Sequence, residues 1–273
     1  MRADKKKNLN ADVLLSEVSS SGILRLTLNN PARRNALSEA MLAALGAAFD
    51  SASTNPDVRV IILSAAGPVF SAGHDLTEMS AGRQNADRGR AYFTKILNQC
   101  SSVMQKIVTC PKPVIAEIDG VATAAGCQLV ASCDLALASE TAQFCTPGVH
   151  IGLFCSTPMV ALSRNLANKH AMEMLLTGNM VPALRAAEMG LVNKVVPSAE
   201  LRAASMTLAA KIAAKSSLTV ATGKRAFYQQ KEMDLAAAYD YASKVMVENM
   251  LARDAEEGIT AFIEKRAPDW RDE

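Results

Sequence analysis

Side chains able to do acid–base or nucleophilic chemistry are few in this chain. Its 273 residues include only three histidines, His74, His150 and His170, and six cysteines. The histidine spacing fits neither a His-x-x-x-His nor a Glu-x-x-His pattern, so no metal site is expected. The cysteines (Cys100, Cys110, Cys127, Cys133, Cys145 and Cys155) form no Cys-x-x-Cys pair. In a chain of this length they read as buried, reduced thiols. Gly-x-Gly-x-x-Gly, Walker A and Gly-x-Ser-x-Gly patterns are absent, which removes two phosphate-binding readings and the serine-hydrolase elbow.

Two segments offer chemistry through the backbone instead. One is Phe70-Ser71-Ala72-Gly73-His74-Asp75-Leu76; the other is GVATAAGCQ over 120–128. Each places small residues after an apolar strand, where N–H groups can turn toward a ligand. Two such groups on separate loops can bind one carbonyl oxygen and stabilise an oxyanion or enolate. Small residues at these places also permit tight backbone packing, which needs no ligand. His74 is equally ambiguous, because a lone loop histidine is more often structural than catalytic.

The elements that must hold these loops follow from the hydrophobic pattern. Residues 12–18 and 23–28 read as a hairpin around Ser20-Ser21-Gly22. Ser38 caps a helix of about 16 residues with Met41, Leu42, Leu45 and Phe49 on its apolar side. Buried strands are expected at 58–63, 114–118 and 134–139, with a long helix over 89–109 and a short one before 134. From 158 onward the pattern is mostly helical, interrupted by a strand-like LVNKVV at 191–196. Strand–helix alternation with a helical tail predicts an α/β fold, with a core over 11–197 and a helical region over 198–273. Lys plus Arg exceeds Asp plus Glu by 29 − 27 = 2, which gives no basis for a nucleic-acid partner. No apolar run is long enough to span a membrane. The N-terminal MRADKKKNLNADV lacks the apolar centre of a secretory signal, and its lysine run reads as a solvated tail. On these grounds a cytoplasmic protein is expected.

Six segments, taken in order, resemble the crotonase superfamily, the enoyl-CoA hydratase/isomerase family. They are NNPARRNALS (29–38), VRVIILSAAGPVFSAGHDL (58–76), KPVIAEIDGVATAAGCQLVASCDLALAS (112–139), FCTPGVHIGLF (144–154), EMLLTGNMVPALRAAEMGLVNKVVP (173–197) and EGITAFIEKRAPDW (257–270). Within the superfamily the chain is similar to the branch of enoyl-CoA hydratase domain-containing proteins. The resemblance implies a spiral of ββα units with a helical C-terminal part used in trimerisation, as a homotrimer or a dimer of trimers. It implies an acyl-CoA ligand and no cofactor beyond the coenzyme A of the substrate. The N–H groups of His74 and Ala125 would polarise the thioester carbonyl. Contacts to coenzyme A would fall on Arg34, Ala36, Ala72, Asp75 and Leu76. Phe262 and Lys265 occupy positions that a neighbouring subunit uses near the nucleotide end.

One departure bears on function. Hydratases of the family use two glutamates as acid and base. Those positions here are Gln128 and Gly148, and a third acidic position, used by some dienoyl isomerases, is Ser156. Standard hydratase activity is therefore expected to be weak or absent, and glutamates at 128 and 148 should raise it. His150 and Cys155 lie near the vacant positions in sequence and are the remaining titratable or nucleophilic candidates. The alternatives are a non-catalytic acyl-CoA binder, or a thioester hydrolase or isomerase that uses other residues.

Overall fold

The computed structural model describes residues 12–273; the expected lysine tail lies outside them. The strands are β1 (Leu14–Val18), β2 (Ile23–Leu28), β3 (Val60–Ala65), β4 (Val69–Ser71), β5 (Val114–Ile118), β6 (Val121–Thr123), β7 (Leu135–Ser139), β8 (Gln143–Cys145), β9 (Val181–Pro182) and β10 (Lys194–Val196). The helices of the first half are α1 (Glu39–Thr54), α2 (Leu76–Gly82), α3 (Arg90–Thr109) and α4 (Ala125–Ser132). Those of the second half are α5 (Ser156–Asn165), α6 (Asn168–Thr177), α7 (Ala183–Met189), α8 (Ser198–Ala213), α9 (Ser217–Gln230), α10 (Leu235–Met250) and α11 (Arg253–Glu264).

Two sheets share the strands. One runs β1-β2-β3-β5-β7-β10, parallel except for the β1–β2 hairpin. The other runs β4-β6-β8-β9, parallel except at β9. The chain therefore steps from the large sheet to the small one and then into helix three times: β3–β4–α2–α3, β5–β6–α4 and β7–β8–α5–α6. This is the spiral of ββα units that the resemblance implies. Its consequence is that the segments leaving β4, β6 and β8 lie side by side at one end of the small sheet.

The large sheet is apolar on both faces because both are covered. Leu24, Leu26, Ile61, Leu63 and Ala116 face the main core with α1 and α3. Ile23, Val60, Ile62, Ile115 and Leu137 face Leu201, Ala209 and Ala213 of α8. α1 starts where Ser38 accepts the Met41 N–H, as expected, and buries Met41, Leu42, Leu45 and Phe49. Under α8 lies a buried ion pair: Arg25 donates twice to Glu117, at 2.8 Å each, and Ser205 donates to the same carboxylate. α9 is anchored by Asp134, whose carboxylate accepts from Lys224 at 2.7 Å, Tyr228 at 2.9 Å and the Val114 N–H at 2.7 Å. All six cysteines are buried and free. No helix among the described residues is long and apolar enough to cross a membrane.

Candidate active site

The segment after β4 and the start of α4 touch. A Cβ on Gly73 would stand 3.1 Å from the Ala125 nitrogen, 3.0 Å from Ala124 Cβ and 3.1 Å from the Thr123 carbonyl oxygen. Gly73 also has φ +80°, so a side chain would be both crowded and strained there. Among the described residues, neither the His74 N–H nor the Ala125 N–H donates a hydrogen bond. Two unspent donors from separate loops therefore lie close together, next to a helix N-terminus that adds favourable potential for negative charge.

A third segment braces this arrangement. The Ala72 N–H donates to Arg34 O at 3.0 Å, the Leu37 N–H to Gly73 O at 2.8 Å, and Ser71 Oγ to Asn35 O at 2.9 Å. Arg34, Ala36, Ala72, Asp75 and Leu76 are thus gathered at one place. Arg34 and Leu76 are exposed there, and Ala36 is buried. The Asp75 carboxylate is committed locally. It accepts from Arg33 at 2.7 Å and caps α2 through the Thr77 and Glu78 N–H groups. Burial alone would raise its pKa, but Arg33 and these N–H groups hold it below the usual value. Arg33 and Asn35 escaped the sequence reading. Asn35 is fully buried, donates to Ala66 O and Val69 O, and accepts the Asn30 N–H.

The neutral replacements for the family's acids sit in different settings. Gln128 is 4 % exposed, one turn into α4, and its Oε1 has no partner among the described residues. Gly148 leaves no room for a side chain: a Cβ there would meet Cys155 Sγ and Leu153 O, each at 2.9 Å. The thiol of Cys155 and the Leu153 carbonyl thus fill the space around position 148. This corrects the expectation that a glutamate at 148 could simply be restored. Burial pushes the Cys155 thiol above its ordinary pKa, against an opposing hydrogen bond from Gly148, so the thiolate needed for nucleophilic attack is disfavoured. Ser156 is exposed and its Oγ donates to Phe154 O. His150 Nε2 lies 2.9 Å from Thr177 O, and its ring packs on Gly178 at the end of α6. That placement makes His150 a cap on α6. Thr146, directly after β8, is fully buried with an unpartnered hydroxyl; no motif in the sequence pointed to it. Phe262 and Lys265 lie on α11 and at its C-terminal cap. No hydrogen bond or ion pair among the described residues ties them to these loops.

The enoyl-CoA hydratase/isomerase family model matches residues 18–273. The chain belongs to this family. It is 49 % identical over 257 residues to the rat enoyl-CoA hydratase domain-containing protein 3, mitochondrial, covering 94 % of this chain and 84 % of the relative. It is 50 % identical over 252 residues to the human protein of the same name, covering 92 % and 82 %. The crystal structure of an enoyl-CoA hydratase from Mycobacterium smegmatis superposes with a TM-score of 0.91 at 49 % identity, covering 94 % of this chain and 98 % of that one. The human domain-containing protein 3 superposes with a TM-score of 0.89 at 48 % identity, covering 94 % and 100 %. The crotonase fold and the domain-containing branch of the family, both expected above, hold. The cytoplasmic location does not: the rat and human relatives are named as mitochondrial. Neither the makeup of the N-terminal residues nor the lack, among the described residues, of a helix able to cross a membrane separates cytoplasm from organelle, so that argument had no power.

Proposed function

We propose that this enoyl-CoA hydratase/isomerase family member binds an acyl-CoA thioester and polarises its carbonyl between the N–H groups of His74 and Ala125. The observation that carries this reading is the pair of unspent donors, the His74 and Ala125 N–H groups, on segments that abut at Gly73. Backbone donors aimed at one oxygen stabilise an enolate or tetrahedral oxyanion without any titrating side chain. The coenzyme A portion lies along the segment holding Arg34, Ala36, Ala72 and Leu76. Phe262 and Lys265 reach it from a neighbouring subunit, as a homotrimer or a dimer of trimers would arrange.

Hydration of an enoyl thioester is slow in this protein. Each general acid or base contributes about 10²–10⁴-fold, and the two act together rather than additively. With Gln128 and Gly148 in those positions, turnover of crotonyl-CoA falls at least roughly 10³-fold below a glutamate-bearing hydratase. The loss of enone absorbance measures it, and a rate comparable to ordinary hydratases would sink the reading. Gln128→Glu raises any residual rate, because position 128 already holds a side chain of that length. The lack of an acidic group also favours a second reading, an acyl-CoA binder that turns nothing over. Binding without product across a panel of acyl-CoAs, read by mass and free thiol, would select it.

A further inference from the structure

β1 ends the large sheet, and its outer edge is open. The Asn29 N–H donates to Val13 O at 2.7 Å and the Ser19 N–H to Ile23 O at 2.9 Å, so the odd-numbered residues of this segment bond β2. In an antiparallel ladder the alternate residues turn their N–H and C=O groups the other way. Those residues are Leu14, Ser16 and Val18, and none of their six groups finds a partner among the described residues. Four of the five side chains of β1 are exposed, Leu15 at 39 % and Val18 at 50 %. An open strand edge invites another strand, and folded chains guard such edges with lysine, proline, a bulge or brevity. The other sheet ends are guarded. β10 has three residues and an exposed Lys194, and β4 and β9 have three and two residues. β1 carries none of these devices: it runs for five residues as Leu-Leu-Ser-Glu-Val, in unbroken register with β2.

The edge fits a second copy of itself. In an antiparallel pair about a two-fold axis at Ser16, Leu14 of one copy faces Val18 of the other, and Ser16 faces Ser16. All three outward residues then exchange bonds, two per pair and six in all. Leu15 lies opposite Glu17, so the two carboxylates stand on the diagonal, about 7–8 Å apart, rather than face to face. An axis one residue later sets the carboxylates directly opposite each other. An axis one residue earlier leaves Val18 without a strand partner. Pairing of one patch with itself closes after two copies, whereas β1 of one copy laid on β10 of the next would extend without end.

We propose that β1 is a docking edge for β1 of a second chain, paired antiparallel about Ser16, so that two large sheets join into one. The pairing is independent of the thioester reading, and it doubles whatever assembly the chain otherwise forms. Sedimentation velocity of the full chain over a concentration series tests it. The unaltered protein is expected to reach an assembly of an even number of chains. Ser16→Pro removes an outward N–H without touching a bond to β2, and Ser16→Lys sets like charges face to face at the axis. Each is expected to weaken the pairing at least about tenfold and to give particles of half the mass. Mixing the Ser16→Lys and Ser16→Glu variants is expected to restore the double mass. Melting curves verify folding, and Ser16→Lys with the mixture decides the matter should Ser16→Pro not fold. An odd-numbered assembly of the unaltered protein, or a double mass that survives both Ser16→Pro and Ser16→Lys, overturns the proposal. A halved mass that the mixture fails to restore overturns the pairing about Ser16. Slow hydrogen exchange at the Leu14 and Val18 N–H groups that persists in Ser16→Lys also overturns it, because the edge is then covered from within the chain.

Discussion

Ala124 sits at φ 49°, ψ −119° as the cap residue before α4, a region of backbone space that is costly for any residue with a side chain. The strain is stored beside the Ala125 N–H, and the hydrogen bonds from the Ala124 N–H to Cys145 O at 2.9 Å and from the Gln128 N–H to Ala124 O at 3.0 Å hold it in place. Ala124→Gly is expected to stabilise the protein by about 1 kcal/mol: about 1–3 kcal/mol of strain is relieved, less the entropy that glycine adds to the unfolded chain. A melting temperature that falls instead would show the conformation to be unstrained. Gly148 has the opposite problem. Gly148→Ala is expected to destabilise by about 1–3 kcal/mol in denaturant titration, since the new methyl meets Cys155 Sγ and the Leu153 carbonyl. Adding Cys155→Ala recovers only part of the loss, because the carbonyl cannot withdraw without moving backbone. The missing acids at 128 and 148 were legible from sequence because a family pattern fixed their places. The steric closure at Gly148 was not, because Leu153 and Cys155 reach it only through the turn between β8 and α5. Thr146 escaped for a related reason: one threonine beside a proline carries no signature until its burial and lack of a partner are known.

At the scale of elements, the Arg25–Glu117–Ser205 cluster ties β2 and β5 to α8. Burial alone would raise the Glu117 pKa, but the bonds from Arg25 and Ser205 outweigh it and hold it below the ordinary value. A carboxyl depressed on folding contributes stability above its unfolded pKa and loses that contribution as pH falls through the folded value. Stability should therefore decline as pH drops below about 4.5, the ordinary value, with part of that decline belonging to Glu117. Glu117→Gln removes that part and leaves Arg25 buried without its counter-charge, at a cost of about 3–5 kcal/mol near neutral pH. Urea titrations at several pH values check both, and an unchanged pH slope in the variant would assign the acid sensitivity elsewhere. The strands of this large sheet were legible as apolar runs, and so were nearly all the helices. The small sheet was not. Its strands span three residues or fewer, with sequences such as Val-Ala-Thr and Val-Phe-Ser. Segments that short complete no hydrophobic period. They form because parallel pairing to one another extends strands that leave the large sheet, so the element that aligns the site's loops was the part hidden from local pattern.

For the whole molecule, the helices after α8 pose a problem that the single chain does not solve. Neither α9 nor α10 fully buries a single residue, yet Leu235, Tyr239, Met246, Val247 and Leu251 are exposed along α10 and its end. α11 is strongly amphipathic, but Phe262 and Ile263 stand 83 % and 72 % exposed. Inside the chain, α11 is held from its polar side, by Asp254 accepting the Arg271 and Asp272 N–H groups and by Glu257 paired with Arg266. Its apolar side is left for something else. Apolar surface of this extent marks an interaction face, and a second copy of the chain is the occupant the trimer reading requires. Sedimentation velocity is expected to show a species three or six times the mass of the chain, and Phe262→Asp with Ile263→Asp to shift it to the monomer while the fold, read by far-ultraviolet circular dichroism, persists. Because Lys265 caps the same helix, acyl-CoA affinity should fall with dissociation, and Lys265→Ala should weaken coenzyme A binding in an intact oligomer through loss of a point charge. A monomer that keeps full affinity would place the nucleotide end of the ligand within one subunit and remove Phe262 and Lys265 from the site.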